Sequence, residues 1–171
     1  MKMDLKKLII NSLFLAIGVV LNQITPPILF GMKPDFSLAM LFIIILLNDD
    51  FKTCILTGVV AGLLAAAVTT FPGGQLPNII DRIVTTSLVF IAVQPLKNKM
   101  NDKISIILTS LVGTIISGSV FLGSALVIVG LPASFKALFM TVVLPATVIN
   151  AIVGTLIFIA VKKSMKVVFR R

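Results

Sequence analysis

At 171 residues the chain is sized for one domain, with 58 % hydrophobic residues, 12 % charged residues and a mean hydropathy of +1.15. A soluble domain carries roughly twice that charged fraction and a disordered chain is poor in aliphatics, so both classes are excluded. The net charge of +9 is clustered between apolar runs rather than spread over a solvated face, which excludes nucleic acid as a partner and suits cations that orient helices in a bilayer.

Six apolar segments follow in order: 5–24, 36–47, 53–70, 79–94, 104–130 and 138–161. Most reach the ~20 residues that a bilayer crossing needs. The first follows a Lys-rich start, as a secretory signal would. It has no small-x-small cleavage site before Pro26-Pro27, so it is expected to be retained as a helix. Ser12 and Ala16 form a small-xxx-small pair within it, with Gly18 beyond.

The second segment is apolar throughout but only twelve residues long, so length alone leaves open a short span or a re-entrant piece. Charge decides between them. Six crossings with the N-terminus inside put twelve cations on the inner side and only Lys33, Arg82 and Lys136 outside; a second segment that does not cross leaves five inside and ten outside. The positive-inside rule selects the first arrangement. The expectation is an all-α, multi-pass protein of the cell membrane with six transmembrane helices in one domain and both termini cytoplasmic.

The inner connections are short and basic, whereas the outer ones hold six of the eight prolines: Pro26, Pro27, Pro34, Pro72, Pro77 and Pro132. Such loops are stiff. With Phe30, Phe71 and Phe135 in them they read as a lid over a pocket, or more simply as helix terminators. Lys33 and Asp35, then Asn78, Asp81 and Arg82, then Lys136 edge these loops, and ionisable groups beside apolar membrane surface are functional candidates. Capping is the alternative. Asp35 directly precedes the second helix, and Asn78 with Asp81 has the spacing of an N-cap and its N3 partner.

Within the third helix Gly58, Gly62 and Ala66 make a packing stripe, and Gly113, Ser117 and Gly118 do similar work in the fifth. In the sixth, Pro145 frees a carbonyl near Thr141, and Asn150 is a lone amide serving either as interhelical glue or as a ligand contact. Enzyme chemistry is not expected. The chain has no His, a single cysteine at Cys54 and no P-loop, and its membrane-edge carboxylates do not pair on one helix face. No metal or cofactor is implied. Stiff outer loops and sided charge also speak against a simple pore.

Two stretches carry a resemblance. Pro26-Pro27-Ile28-Leu29-Phe30-Gly31-Met32-Lys33-Pro34-Asp35 and Phe71-Pro72-Gly73-Gly74-Gln75-Leu76-Pro77-Asn78-Ile79-Ile80-Asp81-Arg82 look like the two signature loops of TrpP-type tryptophan transporters. That family is similar in turn to the substrate-binding (S) subunits of energy-coupling-factor (ECF) transporters. These have six helices and an outward pocket, and they work with a transmembrane coupling subunit and two cytoplasmic ATPases.

The resemblance implies uptake of L-tryptophan, and docking through the Ser12/Ala16 face, where serine replaces the first alanine of the usual AxxxA pattern. It leaves open a self-contained ion-driven carrier, or another small substrate. A tryptophan zwitterion needs a cation for its carboxylate, for which Arg82 or Lys33 is available. It needs an acceptor for its ammonium, Asp81 or Asp35, and a ring partner, Phe30 or Phe71. Asn78, Gln75 or Asn150 is available to accept the indole N–H.

Overall fold

The computed structural model describes residues 5–26, 34–97 and 99–168, with side chains described to Ser164. The expected Phe30 and Lys33 contacts lie outside the described residues. Those residues form helices α1 (Leu5–Ile24), α2 (Phe36–Leu47), α3 (Phe51–Ala67), α4 (Gln75–Lys97), α5 (Asp102–Ile128), α6 (Phe135–Leu138) and α7 (Leu144–Val168), with a π-helical turn, Phe139–Val143, joining the last two. α1, α4, α5 and the compound helix Phe135–Ser164 are each long and apolar enough to cross a membrane; α2 and α3 are shorter apolar helices.

The first two segments begin and end where the sequence places them. α4 does not. It starts at Gln75, four residues before the expected boundary, with Pro77 inside its first turn. Proline is tolerated there because first-turn N–H groups have no intrahelical acceptor to lose. Asn78 is therefore inside the helix rather than its N-cap, and the expected pairing of Asn78 with Asp81 as cap and N3 partner is not formed. Pro145 is accommodated by the wider π turn, across which the Leu144 N–H reaches the Phe139 carbonyl.

α2 is the axle of the bundle. Every residue from Ser37 to Leu46 is buried, so this helix has no lipid face to match to bilayer thickness, and twelve residues suffice. Its all-round hydrophobicity is what a helix surrounded by other helices requires. Both of its ends are tied by polar side chains. At the C-terminal end Asn48 donates to Asn11 of α1 and to the Ile44 carbonyl, and the Asn48 carbonyl accepts from Gln94 of α4. Asp50 then caps α3 by accepting from the Thr53 N–H, which together with the Thr53 hydroxyl holds its carboxyl below the usual range. Lys97–Asp49 and Lys162–Asp102 ion pairs lie at this same end. Asp35, Asn22, Arg82 and Asn150 meet at the other. These contacts make successive long helices run in alternating directions.

The glycine stripe of α3 serves packing, as its spacing suggests. A Cβ on Gly58 would come within 2.5 Å of Thr86 Oγ1, and one on Gly62 within 3.0 Å of the Ile79 backbone, so α4 lies against bare α3 backbone. That close approach sets the depth at which Arg82, one turn beyond Ile79, enters the bundle.

Candidate functional site

The N-terminal end of α2 is built by side chains from four other parts of the chain. Asp35 is the N-cap and accepts from the Leu38 N–H through Oδ1, so the capping expectation holds. Asn22 of α1 holds both sides of that cap, donating to Asp35 Oδ1 and accepting from the Phe36 N–H. Asn150 of α7 accepts from the Asp35 N–H at 2.8 Å and donates to Thr114 of α5. With both ends of its amide engaged, Asn150 acts as interhelical glue in this structure.

Asp35 also does more than cap. Its Oδ2 lies 2.5 Å from Arg82 Nη2, and Arg82 Nη1 lies 3.2 Å from Asp81 Oδ2. Ser117 of α5 donates to the same Asp81 oxygen and accepts from Arg82, while Thr85 donates to Asp81 Oδ1. One guanidinium thus bridges two carboxylates, leaving the trio with a net charge of −1.

The two carboxylates differ in access: the Asp35 side chain is 31 % exposed and that of Asp81 only 3 %. Burial tends to raise the Asp35 carboxyl, but the Arg82 charge, the Leu38 N–H and the Asn22 amide outweigh it and hold the group below the usual carboxylate range. The Asp35–Arg82 pair is therefore intact at neutral pH and is lost only as acid protonates Asp35.

Beside this trio is a cleft of about 310 Å³ lined by residues that include Asn22, Pro34, Asp35, Ser37, Ala65, Thr69, Asn78 and Arg82. That is at the low end of the roughly 300–1,000 Å³ of small-molecule sites. Asn78 uses both amide hydrogens on Thr69 Oγ1 and the Gly74 carbonyl, and its oxygen has no donor among the described residues. Of the residues singled out from sequence, Asp35, Asn78 and Arg82 line the cleft, with Asp81 and Asn150 directly behind them.

Gln75 and Phe71 are not among the lining residues. Gln75 is exposed at the start of α4, and the Phe71 ring stands edge-on to Phe121 of α5 at 5.4 Å. The Phe71–Gly74 turn leans on α5 as well. Gly73 has φ of 70°, and a Cβ there would strike Val129 at 2.4 Å. Thr69 and Thr70, just before it, face the cleft instead. Sequence reasoning missed Asn22, Ser37, Thr69 and Thr70. The only signal they offered was polarity at the ends of apolar runs.

Ser12 and Ala16 are not among the residues lining this cleft; both are exposed on α1 beside Leu13 and Ile17, Ser12 along a groove shared with Leu56 and Val60 of α3. Nothing among the described residues covers them. Among those residues there is also no cluster of three or more His, Cys, Asp or Glu side chains able to hold a metal ion.

The chain matches the family model described as the tryptophan transporter TrpP over residues 4–166. It is 87 % identical, over the full length of both chains, to a probable tryptophan transport protein of Clostridium acetobutylicum. It is 46 % identical to one of Clostridium perfringens, covering 94 % of this chain and 93 % of that one. A third relative with the same description, from Bacillus subtilis, is 47 % identical over 156 residues, or 91 % of this chain and 90 % of the relative. No solved structure matches the chain. A polar cleft held at one end of a bundle of membrane-length apolar helices agrees with what those matches show: the chain belongs to the TrpP tryptophan transporter family, and it is a multi-pass membrane transport protein rather than an enzyme.

Proposed function

We propose that this protein captures L-tryptophan from outside the cell for uptake, in the cleft at the N-terminal end of α2. The observation that carries this reading is the pairing of Asp35 with Arg82 at the cleft wall. A zwitterion brings one charge of each sign, and the wall offers one partner for each. The trio's net negative charge favours a ligand with an ammonium group. The open oxygen of Asn78 suits the indole N–H, a role in which Gln75 and Asn150 are less well placed. Small side chains such as Ala65 and Pro34 leave room for a flat ring.

The proposal extends to six crossings with both termini in the cytoplasm. The alternation of the helices supports it, as does the concentration of lysines at the end opposite the cleft. It also extends to an S-subunit role in an ECF transporter. The chain has no nucleotide motif of its own, and the uncovered Ser12/Ala16 face of α1 is small enough for close approach by a partner helix.

Purification from the native membrane in mild detergent tests that role. A transmembrane coupling subunit and two ATPases are expected to copurify. Tryptophan uptake by vesicles that contain this chain alone, driven by an ion gradient, would contradict it and establish a self-contained carrier.

A further inference from the structure

Four buried side-chain atoms among the described residues have no hydrogen-bond partner, and two of them, Arg82 Nε and Ser37 Oγ, belong to residues that line the same cleft. The other two, the hydroxyls of Ser105 and Ser110, are on α5 and outside its lining. A buried donor left without an acceptor is costly, and where native structures keep one it calls for an explanation. Two in one cleft call for a shared one.

Both side chains are at least nine-tenths buried, Arg82 at 4 % exposure and Ser37 at 3 %. Arg82 is held on its other edges, with Nη2 on Asp35 and Nη1 on Asp81 and Ser117. Its Nε is the one guanidinium nitrogen with no hydrogen-bond partner among the described residues. Ser37 is in the first turn of α2, where backbone N–H groups are free of intrahelical acceptors and the helix dipole is positive. A guanidinium edge, a hydroxyl and a helix N-terminus all favour an anion with at least two acceptor oxygens.

Resting on the reading of the cleft as an amino-acid site, we infer that Arg82 Nε–H and Ser37 Oγ–H together hold the ligand's α-carboxylate, and that Asp35 takes its ammonium. Asp35 Oδ1 already accepts two N–H groups and Oδ2 one, which leaves lone-pair capacity on the more exposed of the two carboxylates. Asp81, closed in by Thr85, Ser117 and Arg82, is a positioning residue that fixes the guanidinium from behind. Ser37 thereby becomes a specificity-determining residue for ligands that carry a carboxylate.

The test compares two ligands on two proteins. L-Tryptophan and tryptamine, which has the ring and ammonium but no carboxylate, are titrated against the purified parent and Ser37→Ala, weak binding being read by displacement. Loss of a hydrogen bond to a charged group is expected to lower tryptophan affinity roughly ten- to a hundredfold in the variant. Tryptamine affinity should be the same in both proteins. Equal tryptophan affinity in parent and variant, or an equal fold-loss for both ligands, would overturn the carboxylate assignment while leaving the cleft as the binding site. Failure of the folded parent to bind tryptophan would overturn both.

Discussion

Asp35→Asn is expected to weaken tryptophan binding by about 30- to several-thousand-fold while the protein still inserts and purifies, because it removes the charge of one partner in a part-buried, hydrogen-bonded ion pair at the cleft wall. Asparagine is as good an N-cap as aspartate, so the start of α2 keeps its hydrogen bond to the Leu38 N–H. Arg82 keeps Asp81 and Ser117, so no buried cation is orphaned. The change therefore separates the charge of Asp35 from its capping role.

Arg82→Gln is the harsher variant. It leaves Asp35 and Asp81 as neighbouring carboxylates with no cation between them, and a loss of binding must then be read beside a melting curve. Calorimetry on both variants checks the expectation. Tryptophan affinity equal to the parent's in Asp35→Asn would reduce Asp35 to a cap and move the ammonium site elsewhere.

The second large effect is expected on the exposed face of α1. Ala16→Leu or Ser12→Leu should abolish tryptophan uptake by cells yet leave binding to the purified protein unchanged. Both side chains are exposed on α1, clear of the cleft, so enlarging them disturbs neither the core nor the charge trio. Close approach of a partner helix depends on small side chains at such a face. Binding and uptake should therefore come apart, as they must if the chain hands its substrate to an assembly that other subunits drive. Normal uptake with the bulky residues in place would argue for a carrier that works alone.

The helices were legible wherever apolarity alone decided them, and the boundaries failed where one residue type carried two meanings. Phe36 to Leu47 could be delimited because Asp35 and Asn48 flank an unbroken apolar run. Pro77 misled, since proline ends helices but also sits comfortably in their first turn. In the site, Asp35, Asp81 and Arg82 stood out because ionisable groups beside lipid-length apolar runs are costly. Capping and pairing with a charge are not exclusive roles: Asp35 caps with Oδ1 and meets Arg82 with Oδ2.

Asn22 and Ser37 were not legible. Asn22 meets Asp35 across 13 residues of chain, and Ser37 faces a cleft whose other walls come from α1, α3 and α4. No local period or spacing encodes such meetings. Phe71 shows the converse. Its residue type fitted a ring-stacking role, and tertiary packing sends the ring to Phe121 instead.

Binding of L-tryptophan in the α2 cleft can be read directly by fluorescence. The chain contains no Trp and no Tyr, so excitation at the red edge of indole absorption elicits essentially no emission from the protein itself. Titration of purified, folded protein with L-tryptophan should give a saturable indole emission displaced to the blue, since a cleft that encloses the ring excludes water from it. An excess of a non-fluorescent competitor should return the emission to that of tryptophan in water. Emission that rises in simple proportion to added tryptophan, with no shift and no saturation, would contradict the assignment of tryptophan to this cleft.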